Sequence, residues 1–88
     1  MERYDLRVAE GKKHAIIKAC KENKYTQFGS YSVQGTENID GYKFILNKDS
    51  WVMIRPSGTE PLLRVYGQSS DYNKTIEILE ATKSTILA

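Results

Sequence analysis

Three strand-like runs, Tyr42–Leu46, Trp51–Arg55 and Leu62–Tyr66, follow one another closely in the chain, and no other feature limits its fold as much. Aromatic and β-branched residues dominate them, which suits a pleated, half-buried surface. The polar tetrad Asn47-Lys48-Asp49-Ser50 joins the first two, a common hairpin length. A compact loop joins the second to the third. Connections this short make antiparallel neighbours, because a parallel pair needs a crossover of a dozen or more residues. Alternation then sorts the side chains. Val52 and Ile54 share one face, as do Leu63 and Val65, and their small branched shapes suit packing under helices. Trp51, Met53 and Arg55 share the opposite face, with Leu62, Arg64 and Tyr66.

Helical spacing brackets this sheet. Ile16, Ile17 and Cys20 form an apolar stripe in a helix predicted over Glu10–Lys24. A second helix is predicted over Asp71–Leu87, with Tyr72, Ile76, Leu79, Lys83 and Ile86 along one face and Ser70 or Asp71 as N-cap. A short edge strand is expected around Tyr4–Val8, and a weak one over Tyr31–Val33-Gln34. Phe28-Gly29-Ser30 reads as a break, Gly35–Asn38 and Asp40-Gly41 as turns. The fold class is therefore α+β, an antiparallel sheet flanked by two helices, in a single domain over residues 1–88. With both helices spent on one face, the aromatic and basic face is left to curl on itself or to meet something outside the chain.

Composition narrows the function classes. At 88 residues, 40% hydrophobic and 27% charged, the chain is an ordinary globular domain. A formal charge of +2 from 13 basic and 11 acidic residues does not mark a nucleic-acid or membrane binder. No apolar run approaches the ~20 residues that span a bilayer, and the opening MERYDLRVAEGKK has no apolar h-region and does not read as a signal peptide. One cysteine, Cys20, leaves no disulfide framework and no cysteine zinc site, which points to a reducing, cytoplasmic setting. Cys20 reads as a small core residue and His14, the only histidine, as a solvated one. Asn73-Lys74-Thr75 matches the glycosylation pattern only by chance in such a setting.

The segment richest in chemistry is Arg55-Pro56-Ser57-Gly58-Thr59-Glu60-Pro61. Its prolines limit flexing. Gly58 permits a positive φ and a close approach to a ligand. Ser57 and Thr59 bring hydroxyls, the amides around Gly58 can form an anion nest, and Arg55 brings a planar charged fork matched to phosphate oxygens. Arg64 adds a second charge. Together these make an oxyanion cradle, most naturally for a phosphate monoester. The same residue types also build a plain hairpin turn with a solvated arginine, and Glu60 fits an anion site only if it turns away, pairs with an arginine or accepts from sugar hydroxyls. No GxxxxGK is present, so this is not a P-loop.

Arg55–Pro61, followed by Leu62-Leu63-Arg64-Val65-Tyr66, resembles the phosphate-binding loop in the C-terminal domain (domain 4) of the α-D-phosphohexomutase superfamily, which includes phosphoglucomutase, phosphomannomutase and phosphoglucosamine mutase. Ile39-Asp40-Gly41 with Tyr42-Lys43-Phe44, and Trp51-Val52-Met53-Ile54, resemble the strands leading to it, and the closing helix also fits. The resemblance covers roughly residues 39–87, with residues 1–38 fitting as a general strand–helix lead-in. It implies a fold like that of the TATA-box-binding protein. It also implies that Arg55, Ser57, Gly58 and Thr59 contact the phosphate of a hexose phosphate or bisphosphate that is not being transferred, with Glu60 and Arg64 as further substrate contacts. In the family a phosphoserine passes its phosphoryl group to the sugar phosphate and takes the other one back.

The chain contains no Ser-His-Asn-Pro segment for that phosphoserine, no DGDxDR cluster for Mg²⁺ and no GE-x-S-G-H sugar loop. The resemblance thus implies a fragment with no catalytic residue, cofactor or metal of its own, inactive alone, partnered by the other domains of a longer chain that bind Mg²⁺. A glucose or mannose phosphate is the expected substrate, glucosamine phosphate the alternative. Two other classes remain: a nucleic-acid module using Trp51, Tyr66 and Arg64 as a stacking platform, though no nucleic acid or membrane is expected as partner, and an interaction domain docking through the same face.

Overall fold

The strand runs pair as their spacing predicts. In the computed structural model, which describes residues 1–88, the chain forms β1 (Glu2–Arg7), α1 (Glu10–Lys21), β2 (Gln27–Phe28), β3 (Tyr31–Ser32), β4 (Gly35–Glu37), β5 (Tyr42–Asn47), β6 (Ser50–Pro56), β7 (Leu62–Gln68) and α2 (Tyr72–Ile86). Five strands make one antiparallel sheet in the order β1-β7-β6-β5-β4, and β2 and β3 make a small separate hairpin. The architecture is α+β, an antiparallel sheet with two helices, as expected.

One face of the sheet carries the core. Leu6, Phe44, Leu46, Val52, Ile54, Leu63 and Val65 meet Ile16 and Cys20 of α1 and Ile78, Leu79 and Ile86 of α2 in a single cluster. Burying such branched side chains contributes roughly 1.5–3 kcal/mol each. Gly67 of β7 lets α2 lie close: a Cβ there would come within 3.0 Å of Leu79 Cγ. Cys20 is 3% exposed, and burial pushes its thiol pKa up to about 12.

Several local expectations need correction. α1 stops at Lys21 and not at Lys24, because Asn23 takes a left-handed φ of 56°. The amides of Asn23 and Lys24 turn back to the carbonyls of Cys20 and Ala19 at 3.1 and 2.9 Å, a complete Schellman end. Phe28-Gly29-Ser30 is a tight hairpin turn, Gly29 having a φ of 59°. Phe28 is fully buried, its ring 5.1 Å from that of Phe44 and 5.8 Å from that of Tyr25. The expected turn at 35–38 is mostly an edge strand, Gly35 pairing with Ile45 and Glu37 with Lys43.

The buried face of α2 is also rotated from the expected one. It consists of Thr75, Ile78, Leu79, Thr82 and Ile86, while Tyr72 is 63% exposed and Lys83 is exposed. The two threonines hide because their hydroxyls donate within the helix, Thr75 to Asp71 O at 2.9 Å and Thr82 to Ile78 O at 2.8 Å, leaving methyl groups for the core. Asp71 is the N-cap, its carboxylate accepting from Lys74 N at 2.7 Å. Tyr4 and Tyr31 tie β1 and β3 to α2 by donating to Glu80 and Glu77. These hydrogen bonds, more than desolvation, push both tyrosine pKa values up to about 12. No helix is long and apolar enough to cross a membrane.

Candidate functional site

The loop of interest spans 57–61, between the ends of β6 and β7. Antiparallel register sets Arg55 directly opposite Arg64. Both therefore project from the sheet face that the helices leave open, alongside Trp51, Met53 and Tyr66. The two arginines are thus cross-strand neighbours beside the loop. Like charges opposite one another on a sheet repel. None of the four ion pairs in the molecule involves either residue. Arg55, Pro56, Ser57, Gly58, Thr59 and Arg64 line an open cleft of about 270 Å³ in which Pro56 is the only apolar side chain.

The loop's shape comes mostly from Ser57. Only 9% exposed, its hydroxyl oxygen accepts from the amides of Glu60 and Thr59 at 3.2 and 3.4 Å. Its own amide donates to Leu62 O at 3.2 Å, folding the loop over Leu62. Leu62 is therefore buried, although it was expected on the open face, and it lies outside the main core cluster. Two amides expected in an anion nest are thus taken by the Ser57 hydroxyl, which retains its own proton to donate. Gly58 does not use a positive φ, contrary to expectation. Its lack of a side chain instead leaves open space, with nothing within 4 Å of where a Cβ would stand.

Glu60 turns aside: its carboxylate lies 3.7 Å from Arg7 Nη2 at the end of β1. Both side chains are largely exposed, so the pair contributes little to stability. Thr59 is exposed, its hydroxyl bonded to nothing in the chain.

Sequence reasoning missed Lys13. Its ammonium donates to Ser57 O at 2.7 Å and Glu60 O at 3.1 Å, and lies 3.7 Å from Glu10 Oε1. Lys13 precedes Ile16, Ile17 and Cys20 on the apolar stripe, and a lysine on a buried stripe was the available signal. His14 is exposed, as expected, with Glu10 3.8 Å away.

The cleft does not suit a metal ion. Guanidinium groups and hydroxyls line it, and nowhere do three or more His, Cys, Asp or Glu side chains gather.

Residues 5–83 match the family model of the phosphoglucomutase/phosphomannomutase C-terminal domain, further toward the N-terminus than the motifs alone suggested. The chain is 37% identical over 74 residues to a phosphopentomutase of Thermococcus kodakarensis and 35% identical over 74 residues to a phosphoglucomutase/phosphomannomutase of the same organism, each covering 84% of the chain. It is 35% identical over 69 residues, 69% of the chain, to a phosphoglucosamine mutase of Methanocaldococcus jannaschii. The matched segments span only 15–16% of those relatives' lengths. On the extent of the family match, the chain belongs to the phosphoglucomutase/phosphomannomutase C-terminal domain family, within the phosphohexomutase superfamily.

Proposed function

We propose that the 55–64 segment holds the phosphate that is not being transferred while a hexose phosphate or bisphosphate undergoes intramolecular phosphoryl transfer in a longer enzyme. The observation that carries this reading is the cross-strand pair of arginines without carboxylate partners, opening onto a cleft of hydroxyl and glycine residues. A dianion between Arg55 and Arg64 turns their mutual repulsion into two charge-assisted contacts. The Ser57 and Thr59 hydroxyls add donors, and Gly58 lets the backbone come close. Clamping the ester at one end holds the reacting end in place, which is the positioning that phosphoryl transfer requires. Magnesium would serve the transferring phosphoryl group, and its ligands and the phosphoserine belong to other domains of the whole enzyme. The chain alone is inactive in this reading.

A hexose is the sugar we favour, glucose or mannose phosphate before glucosamine phosphate. The named relatives act on pentose, glucosamine, glucose and mannose phosphates, and the phosphate, common to all, is what this domain grips. The setting is cytoplasmic in the same reading. A nucleic-acid platform is disfavoured by Lys43, whose ammonium lies 4.6 Å from the Trp51 ring centroid and takes the surface on which a base would stack.

Titration of the ¹⁵N-labelled chain with inorganic phosphate, glucose 6-phosphate and glucose tests the proposal. Amides of 55–64 shift with the two phosphate-bearing probes and not with glucose. Equal shifts with glucose, or none with phosphate at tens of millimolar, overturn it.

A further inference from the structure

A lysine buried under a turn is an expensive choice. Lys13 is 8% exposed, in a stripe otherwise made of Ile16 and Cys20. Methionine would fill the same space without desolvating a charge, and such replacements are often neutral or stabilising. What lysine adds is direction. Its ammonium has three donors, and two go to the carbonyls of Ser57 and Glu60, at 2.7 and 3.1 Å, with Glu10 nearby.

The geometry of the peptide unit makes those bonds consequential. Every peptide in the chain is trans, so each carbonyl and the following N–H point in opposite directions. With Ser57 O drawn toward α1, the Gly58 N–H is turned away from α1. With Glu60 O drawn the same way, the following residue is Pro61, which has no N–H to present. The clasp thus aims a single amide outward. That amide donates to nothing in the chain, whereas the amides of Ser57, Thr59 and Glu60 are all engaged. Gly58 belongs to the cleft shared with Arg55 and Arg64. Lys13 does not; it lines the cleft on the other side of the loop, with His14, Lys18 and Lys21.

We infer that Lys13 is a positioning residue for anion capture: by holding the Ser57 and Glu60 carbonyls it keeps the Gly58 N–H standing as a donor to the bound phosphate. The inference rests on the phosphate-holding reading of the loop. Lys13 touches no ligand. It sets a peptide plane, so that the donor is already oriented before the anion arrives and no loop ordering is needed on binding.

The test is an NMR titration of the whole 88-residue chain with inorganic phosphate. In the wild type the Gly58 amide proton moves downfield on saturation, further than those of Thr59 and Glu60. Lys13→Met, with its core amides unchanged, loses that shift and binds phosphate about tenfold more weakly, the effect of one hydrogen bond to a charged group. Lys13→Arg restores part of both. Lys18→Met removes a charge from the same cleft and leaves both intact. If the wild type shows no phosphate-dependent shift in the loop, the phosphate reading itself fails. If the wild type binds and Lys13→Met keeps the affinity within twofold and the Gly58 shift, the clasp is overturned and the phosphate reading survives. Equal weakening by Lys18→Met also overturns it, since the effect is then general charge. Should Lys13→Met not fold, the wild-type Lys13 ammonium resonance decides: it exchanges slowly both with and without phosphate while the Gly58 amide shifts, and an ammonium that exchanges as fast as those of exposed lysines overturns the inference.

Discussion

Two connections leave β6, one from each end, and they are built on opposite plans. The turn from β5 is self-sufficient. Asn47 pairs with Ser50 across it, and the Asn47 side chain accepts from Asp49 N at 2.9 Å. The loop to β7 is held from far along the chain. Lys13 reaches it across 44 and 47 residues of sequence, Val8 N donates to Pro61 O at 3.0 Å, and Arg7 meets Glu60. A turn that only reverses direction needs no outside help. The loop proposed above to present its backbone to a phosphate is braced from two other elements. The bracing matters all the more because surface loops are by default the mobile part of a fold.

Four experiments sharpen or break that contrast. Ile54→Ala damages the strand that both connections share. The residue is fully buried, so urea unfolding should show a loss of about 2–5 kcal/mol, and phosphate affinity of the remaining folded protein should be unchanged. A loss under about 1 kcal/mol would mean that the strand is not the common foundation. Arg55→Ala, one residue on, should leave stability within about 0.5 kcal/mol, as for an exposed side chain, while phosphate affinity falls roughly tenfold or more. If it unfolds the domain and spares binding, the guanidinium belongs to the scaffold.

Ser57→Ala and Asn47→Ala are the matched pair. Removing the Ser57 hydroxyl strips an acceptor from two amides and should cost about 1 kcal/mol, with weaker phosphate binding. Removing the Asn47 amide group should cost about half that and leave binding alone, since the turn is exposed. Equal effects on binding would erase the distinction between the two connections. The smallest effect is on pH dependence. Tyr4 and Tyr31 hold their protons more tightly folded than unfolded, with pKa values raised from 10.0 to about 12 by Glu80 and Glu77. A raised folded pKa means that stability is fully present below pH 10 and is lost as pH rises through about 12. Absorbance near 295 nm should therefore show Tyr4 and Tyr31 titrating late, beside Tyr25, which burial also raises, and Tyr4 and Tyr31 ionising near pH 10 would mean that the ties to α2 do not form.

The contrast also explains what was legible in advance. The antiparallel middle of the sheet, its open and covered faces apart from Leu62, a cap at Ser70 or Asp71 and the buried Cys20 all follow from spacing, because period and capping are local properties. The α2 face was misread because Thr75 and Thr82 look polar by type, while their hydroxyls are satisfied within the helix. Phe28 was misread because Gly29 and Ser30 announce a turn without saying that the residue before it packs on Phe44. At the loop, Arg55, Ser57, Gly58, Thr59 and Arg64 could be named from their chemistry and family resemblance. Their division of labour could not: Ser57 as the loop's internal organiser, Arg64 as partner of Arg55, Lys13 as the brace. The last two depend on register and on a contact across more than forty residues; the first is local, but a serine's residue type does not say which amides its hydroxyl accepts from.

The buried sulfur of α1 has a practical corollary. With its thiol protonated at all ordinary pH values and shut away from solvent, Cys20 can meet an alkylating reagent only when the structure opens. The chain therefore carries its own single-site clock: the rate at which that one sulfur is labelled counts how often the interior comes apart, without any added probe.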